Sequence, residues 1–229
     1  MQPNPQPLPV QVRAGDVTLD GDLNVPPQAK GLVIFAHGSG SSRHSSRNKY
    51  VAAELNKGGL ATLLLDLLTR DEERIDDITR ELRFNIPMLA ERLGHAAEWA
   101  SQYPKTRGLP VGFFGASTGG GAALIAAASR PEAISAVVSR GGRPDLAGAD
   151  LPRVRAPTLL IVGGADDVVI ELNQQALQKL RCERHLEIVP GATHLFEEPG
   201  TLEAVARLAR AWFQTHFRPA EARPAQPGG

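Results

Sequence analysis

Six short, nearly continuous apolar runs constrain this chain more than any other feature. They are GLVIFAHG (31–38), LATLLLDLL (60–68), LPVGFFGAS (109–117), AISAVVS (133–139), APTLLIVGG (156–164) and RHLEIVPG (184–191). A strand exposed on one face alternates apolar with polar residues. A continuous run of this length fits a strand buried on both faces, as in a parallel sheet. Helical patterns separate the runs, at 47–59, 85–102, 118–129, 170–180 and 201–217. Strand and helix in alternation predict an α/β fold, a doubly wound, mostly parallel sheet flanked by helices with right-handed crossovers. Ahead of it, residues 9–25 alternate loosely around Ala14-Gly15-Asp16, as a β-hairpin does. In open α/β sheets ligands sit outside the carboxyl ends of the strands, so the loops there are where chemistry is to be sought.

The length of 229 residues suits a single domain with a core that needs no disulfide or metal staple. Both ends are proline-rich. Residues 1–9 and 218–229 read as disordered tails, leaving one domain over 10–217. Charged residues are 22% and the formal net charge is zero, which gives no electrostatic reason to bind nucleic acid or an anionic membrane. The one cysteine, Cys182, excludes an internal disulfide and a multi-cysteine metal site. No apolar run approaches the roughly 20 residues needed to span a bilayer, and MQPNPQPLPV lacks the basic start and apolar run of a signal peptide. A cytoplasmic protein, monomer or homodimer, is the expectation.

The stretch GFFGASTGGG (112–121) fits two machines. Gly115, Gly119 and Gly121 have the spacing of a dinucleotide-cradling turn, while Gly115, Ser117 and Gly119 form G-x-S-x-G, the spacing of a turn that exposes a serine nucleophile. The dinucleotide reading fails on context. The loop follows the third strand of the parallel core rather than the first, and no acidic residue closes the next strand. The Tyr-x-x-x-Lys pair of short-chain dehydrogenases is also missing, since Tyr50 and Tyr103 both lie upstream. For a nucleophile elbow the strand VGFF and the helix GGGAALIAAA are the right neighbours, and Ser117 as a mere helix N-cap is the bland alternative.

A serine nucleophile needs a base, and the base needs an orienting carboxylate, here in the order Ser, Asp, His. Asp166 and Asp167 follow the strand PTLLIVGG, and His194 follows LEIVPG. Asp166, three residues after Gly163, is favoured; Asp167 reads as the cap of the next helix or as lining the loop. Two backbone N–H groups should receive the oxyanion: that of Thr118, after the serine, and that of Ser39 in HGSGSSRHSSRN (37–48), with Gly40 the fallback. His37 reads as a brace for that loop. Arg43, His44 and Arg47 either line the entrance or are solvated.

The motifs HGSGSS, LLLDLLT, GFFGASTGG, IVGGADDVV and GATHLF, in that order, resemble the α/β-hydrolase superfamily and, within it, the dienelactone-hydrolase-like branch, over about residues 25–217. The resemblance implies an α/β-hydrolase fold and hydrolysis of an ester bond. The namesake enzymes use a cysteine where this chain has Ser117, so a serine esterase is the expectation. Many relatives insert a cap where this chain has only RGGRPDLAGADLPRVRA, 17 residues. The cleft should therefore be open, with no cap domain, and suit small ester or lactone substrates. Arg140 and Arg143 in that segment read as a solvated pair, with contact to an acidic substrate group the alternative. The implied chemistry needs no cofactor and no metal. Acyl transfer or perhydrolysis on the same triad is one rival reading, and a non-catalytic binding protein is the other.

Overall fold

The computed structural model describes residues 7–217. Leu8–Ala14 (β1) and Val17–Asn24 (β2) form an antiparallel hairpin with Ala14 opposite Val17. Leu8 and Pro9, assigned above to a disordered tail, belong to β1. Proline is tolerated there because β1 is an edge strand and needs no second ladder of hydrogen bonds. Pro7 precedes β1, and residues 1–6 and 218–229, the rest of the expected tails, lie outside the described residues.

The six apolar runs form β3 (Leu32–Ala36), β4 (Ala61–Leu65), β5 (Val111–Ala116), β6 (Ile134–Arg140), β7 (Thr158–Gly163) and β8 (Arg184–Val189). The sheet has eight strands in the order β1-β2-β4-β3-β5-β6-β7-β8. β3 to β8 run parallel, and β2 joins β4 antiparallel. Every residue of β3, β4, β5 and β7 is buried, whereas β8 at the far edge is largely not. Burial on both faces is why those runs are continuous.

Helices cover both faces. α1 (Ser46–Lys57) and α6 (Thr201–His216) pack together over Phe35, Phe114 and Ile161. α3 (Ile86–Gln102), α4 (Thr118–Ser129) and α5 (Asp167–Lys179) share the opposite core with Ile34, Phe113 and Leu160. In α3 the buried Leu89, Leu93, Ala96 and Ala100 recur at helical spacing. Phe113 is fully buried, and truncating such a residue to alanine costs about 3–5 kcal/mol.

One helix was not expected: α2 (Arg70–Thr79). Thr69 accepts from Glu72 N–H and Glu72 accepts from Thr69 N–H, a complete capping box. Buried Arg92 of α3 then donates to Leu67 O at 2.7 Å and to both Glu72 oxygens, docking α2 over the end of β4. Between β6 and β7 there is only a 3-10 segment, Pro144–Arg153, and no cap domain. No helix among the described residues is long and apolar enough to cross a membrane.

Candidate active site

Ser117, Asp166, His194 and Ser39 follow β5, β7, β8 and β3, so all four stand beyond the carboxyl ends of parallel strands. Ser117 is at φ +51°, ψ −122°, a backbone conformation that costs a non-glycine residue roughly 1–3 kcal/mol. Its surroundings hold it there. Ser117 N–H donates to Arg140 O at 3.2 Å, and Ser117 O accepts from Gly120 N–H and Arg143 N–H, each at 3.0 Å. The side chain makes no capping hydrogen bond to α4, so the N-cap role is not the one Ser117 plays. The glycines two residues either side are required by space. A Cβ at Gly115 would stand 2.5 Å from Gly119 O, and one at Gly119 would stand 2.2 Å from Ala36 O.

His194 Nδ1 lies 2.6 Å from Asp166 Oδ2, with the carboxylate side chain 16% exposed and the imidazole 39%. A ring whose Nδ1–H faces a carboxylate leaves Nε2 as the free base. Asp166 stands at the N-cap position of α5 yet makes no side-chain cap there, because its carboxylate is turned to His194. Asp167, expected as the cap, is instead the first residue of the helix and is exposed. The two loops are tied by Ala165 N–H donating to Ala192 O at 2.9 Å.

The histidine loop carries a clamp that sequence reading missed. Glu198 accepts from Thr193 N–H at 3.0 Å and Thr193 Oγ1–H at 2.7 Å, and these bonds hold its carboxyl below the usual range. Phe196, at φ +56°, is buried in the core beneath. The signal was available: a Thr and a Glu five apart around a histidine.

The loop after β3 packs directly on the serine, since a Cβ at Gly38 would stand 3.2 Å from Ser117 Cβ. Thr118 opens α4, so its N–H is among those a helix N-terminus leaves without an intrahelical partner. The Ser39 N–H is already engaged: it donates to Thr118 Oγ1 at 2.9 Å. Leu67 N–H donates to His37 Nε2 at 3.1 Å and His37 Nδ1 meets Gly38 O at 2.9 Å, which ties β3 to β4 through a neutral ring. Desolvation lowers the His37 pKa. Arg43 pairs with Asp66 and, at 3.6 Å, with Asp22, so it anchors the loop rather than lining an entrance. His44 is exposed, and Gly40 faces Arg83. A cavity of about 100 Å³ adjoins His37–Ser41, walled by Leu67 and Leu89 and by Asp76 and Arg83.

The two arginines read as a solvated pair differ. Arg143 is 40% exposed and paired with Asp145 at 2.7 Å. Arg140 is 6% exposed, and that half of the expectation fails because its guanidinium lies over the buried Phe196 ring, 5.8 Å from the centroid. Cys182 precedes β8, at the end of the sheet opposite Ser117, and burial raises its pKa.

The model of the dienelactone hydrolase family matches residues 19–217. A Mycobacterium tuberculosis protein with the provisional name of phosphoribosyl transferase is 59% identical over 208 residues, which is 91% of this chain and 46% of the relative. The chain thus spans about half the length of the curated relatives it matches. The crystal structure of a dienelactone hydrolase from Anabaena variabilis is 60% identical, with TM-score 0.92, and the match covers 94% of this chain and 100% of that one. An α/β serine hydrolase without lid from Xanthomonas campestris is 19% identical with TM-score 0.71, covering 97% of both chains, and shares the fold.

Proposed function

The chain belongs to the dienelactone hydrolase family, and from that premise we propose that this hydrolase cleaves carboxylic esters or lactones of small substrates through Ser117, His194 and Asp166. The observation that carries the reading is the 2.6 Å contact of Asp166 with His194 Nδ1, on loops beside a serine held at positive φ.

His194 Nε2 takes the proton of Ser117 Oγ as the oxygen attacks the ester carbonyl. Asp166 holds the ring in the required tautomer and stabilises the imidazolium. The oxyanion forms beside Thr118 N–H, and Ser39 N–H turns to it from the Thr118 hydroxyl. The imidazolium then protonates the leaving alcohol, and the C–O bond to it breaks. Water, deprotonated by His194, then attacks the acyl-enzyme, and as the bond to Ser117 Oγ breaks the imidazolium returns the proton to that oxygen. The cavity beside Ser39 is small, which favours a short acyl or alcohol group on that side.

The name of the mycobacterial relatives is not carried over. The family match and the 60% identical structure both span nearly all of this chain, whereas the chain spans 46% of those relatives. The test is turnover of p-nitrophenyl esters of increasing chain length and of a lactone, by wild type and by Ser117→Ala. The reading predicts loss of several orders of magnitude. A variant that keeps the wild-type rate would sink it. Competing alcohol or peroxide in the same assay separates hydrolysis from acyl transfer.

A further inference from the structure

Arg140 ends β6, next to the strand that carries Ser117, and is 6% exposed. A buried guanidinium ordinarily meets a carboxylate or several carbonyl oxygens, because an uncompensated charge in the interior is costly. Arg140 meets neither among the described residues. Its Nε–H is buried without an acceptor. Its neighbours are the ring of Phe196, 5.8 Å from Cζ, and the like charge of Arg47. Burial first, and Arg47 second, lower its pKa to about 10, so it stays charged at neutral pH.

Arg47 adds a second cation with the same defect: its Nε–H is also buried and without an acceptor. Its Nη1 reaches Glu197 at 3.3 Å, but that carboxylate is 64% exposed and so compensates it weakly. Arg47 lies in the first turn of α1, a 12-residue helix with no acidic residue in that turn, so the positive end of the helix dipole adds to the two charges. The place is beside the candidate triad, since a Cβ on Gly141, the residue after Arg140, would stand 3.6 Å from His194 Cε1.

We infer that Arg140 and Arg47 form an oxyanion subsite that takes a phosphate group carried by the substrate, next to Ser117. A carboxylate is planar and carries one charge, which a single bidentate guanidinium fork matches. Two guanidiniums on different elements, with a helix N-terminus, suit a group with three terminal oxygens and a charge of about −1.5 to −2. The placement next to substrate rests on the hydrolase reading above; the binding itself does not.

The test is thermal unfolding of the full chain in millimolar sodium phosphate, against sodium chloride at equal ionic strength and against sodium acetate. Phosphate is expected to raise the midpoint by several degrees over chloride, and acetate by much less. The gain should vanish in Arg140→Met and shrink in Arg47→Gln, a half-exposed position that keeps the test open if the first variant folds poorly. Phosphate should also raise the apparent KM of wild type for a neutral ester several-fold with kcat unchanged. No phosphate-specific gain, an equal gain with acetate, or a gain that survives in both variants overturns the subsite. A phosphate gain in a protein that turns over no ester leaves the subsite standing and removes the reaction; loss of turnover in Ser117→Ala with no phosphate gain does the reverse.

Discussion

The backbone N–H of Ser39 donates to Thr118 Oγ1 at 2.9 Å, so a hydroxyl already occupies one of the two amides that the proposed reaction needs for its oxyanion. Thr118, whose backbone is proposed to supply one amide, thus engages the other through its side chain.

Thr118→Val keeps the β-branched shape and removes the acceptor. A neutral hydrogen bond of this kind is worth about 1 kcal/mol net. Freeing the Ser39 amide should therefore raise kcat for a simple ester by up to about five-fold, read from steady-state kinetics at saturating substrate. A fall in kcat would mean instead that the hydroxyl itself donates to the oxyanion.

Asp166→Asn preserves size and removes the charge that fixes the His194 ring. The amide can present its N–H₂ to Nδ1 and so favour the wrong tautomer. Ester turnover near neutral pH should fall by about 10⁴-fold, with the unfolding midpoint little changed. A loss of less than tenfold would detach Asp166 from the chemistry.

Gly119→Ala sets a methyl group 2.2 Å from Ala36 O and 2.6 Å from His37 O. These are backbone atoms and cannot swing aside, so β3 and the elbow must separate. Urea unfolding should show a loss of about 2–3 kcal/mol. A variant as stable as wild type would show that the two segments part freely.

His37 is held neutral between Leu67 N–H and Gly38 O, and desolvation puts its pKa below the ordinary 6.5. The unfolded chain binds this proton more readily than the folded one. The stabilising effect is therefore complete above pH 6.5 and is lost as pH falls from there toward the folded-state pKa, at up to about 1.4 kcal/mol per pH unit. Glu72, bonded by Arg92, and Glu98, bonded by Arg130, also have lowered pKa values, but they weaken the fold only below about their ordinary 4.5. The unfolding midpoint of wild type should fall between pH 6.5 and 5, and that of His37→Gln should fall less. Parallel curves would place the titration elsewhere.

Much of the fold is legible in the sequence. The strand runs were readable because residues buried on both faces of a sheet cannot alternate. The elbow was readable because its glycines must sit at fixed distances from Ser117. What escaped has identifiable reasons. α2 is rich in charge and its two apolar residues, Ile75 and Ile78, stay exposed, although Thr69 and Glu72 spelled its capping box. Leu8 and Pro9 belong to a strand because pairing with β2 outweighs their proline-rich surroundings.

Local pattern by itself determined which residues form strands, which turn sets Ser117 between strand and helix, and which loops end at the carboxyl edge of the sheet. These depend on side-chain periodicity and on the sterics of a few consecutive residues. Only the tertiary structure decided that the Ser39 amide is engaged by a hydroxyl 79 positions away, and it set the 2.6 Å contact of His194 with Asp166, which spacing alone had favoured. It also decided that Arg140 is buried against Phe196 while Arg143 is half-exposed and paired. Hydrogen-bond partners and buried charges are settled by which elements pack over a strand end, and no window of neighbouring residues contains that information.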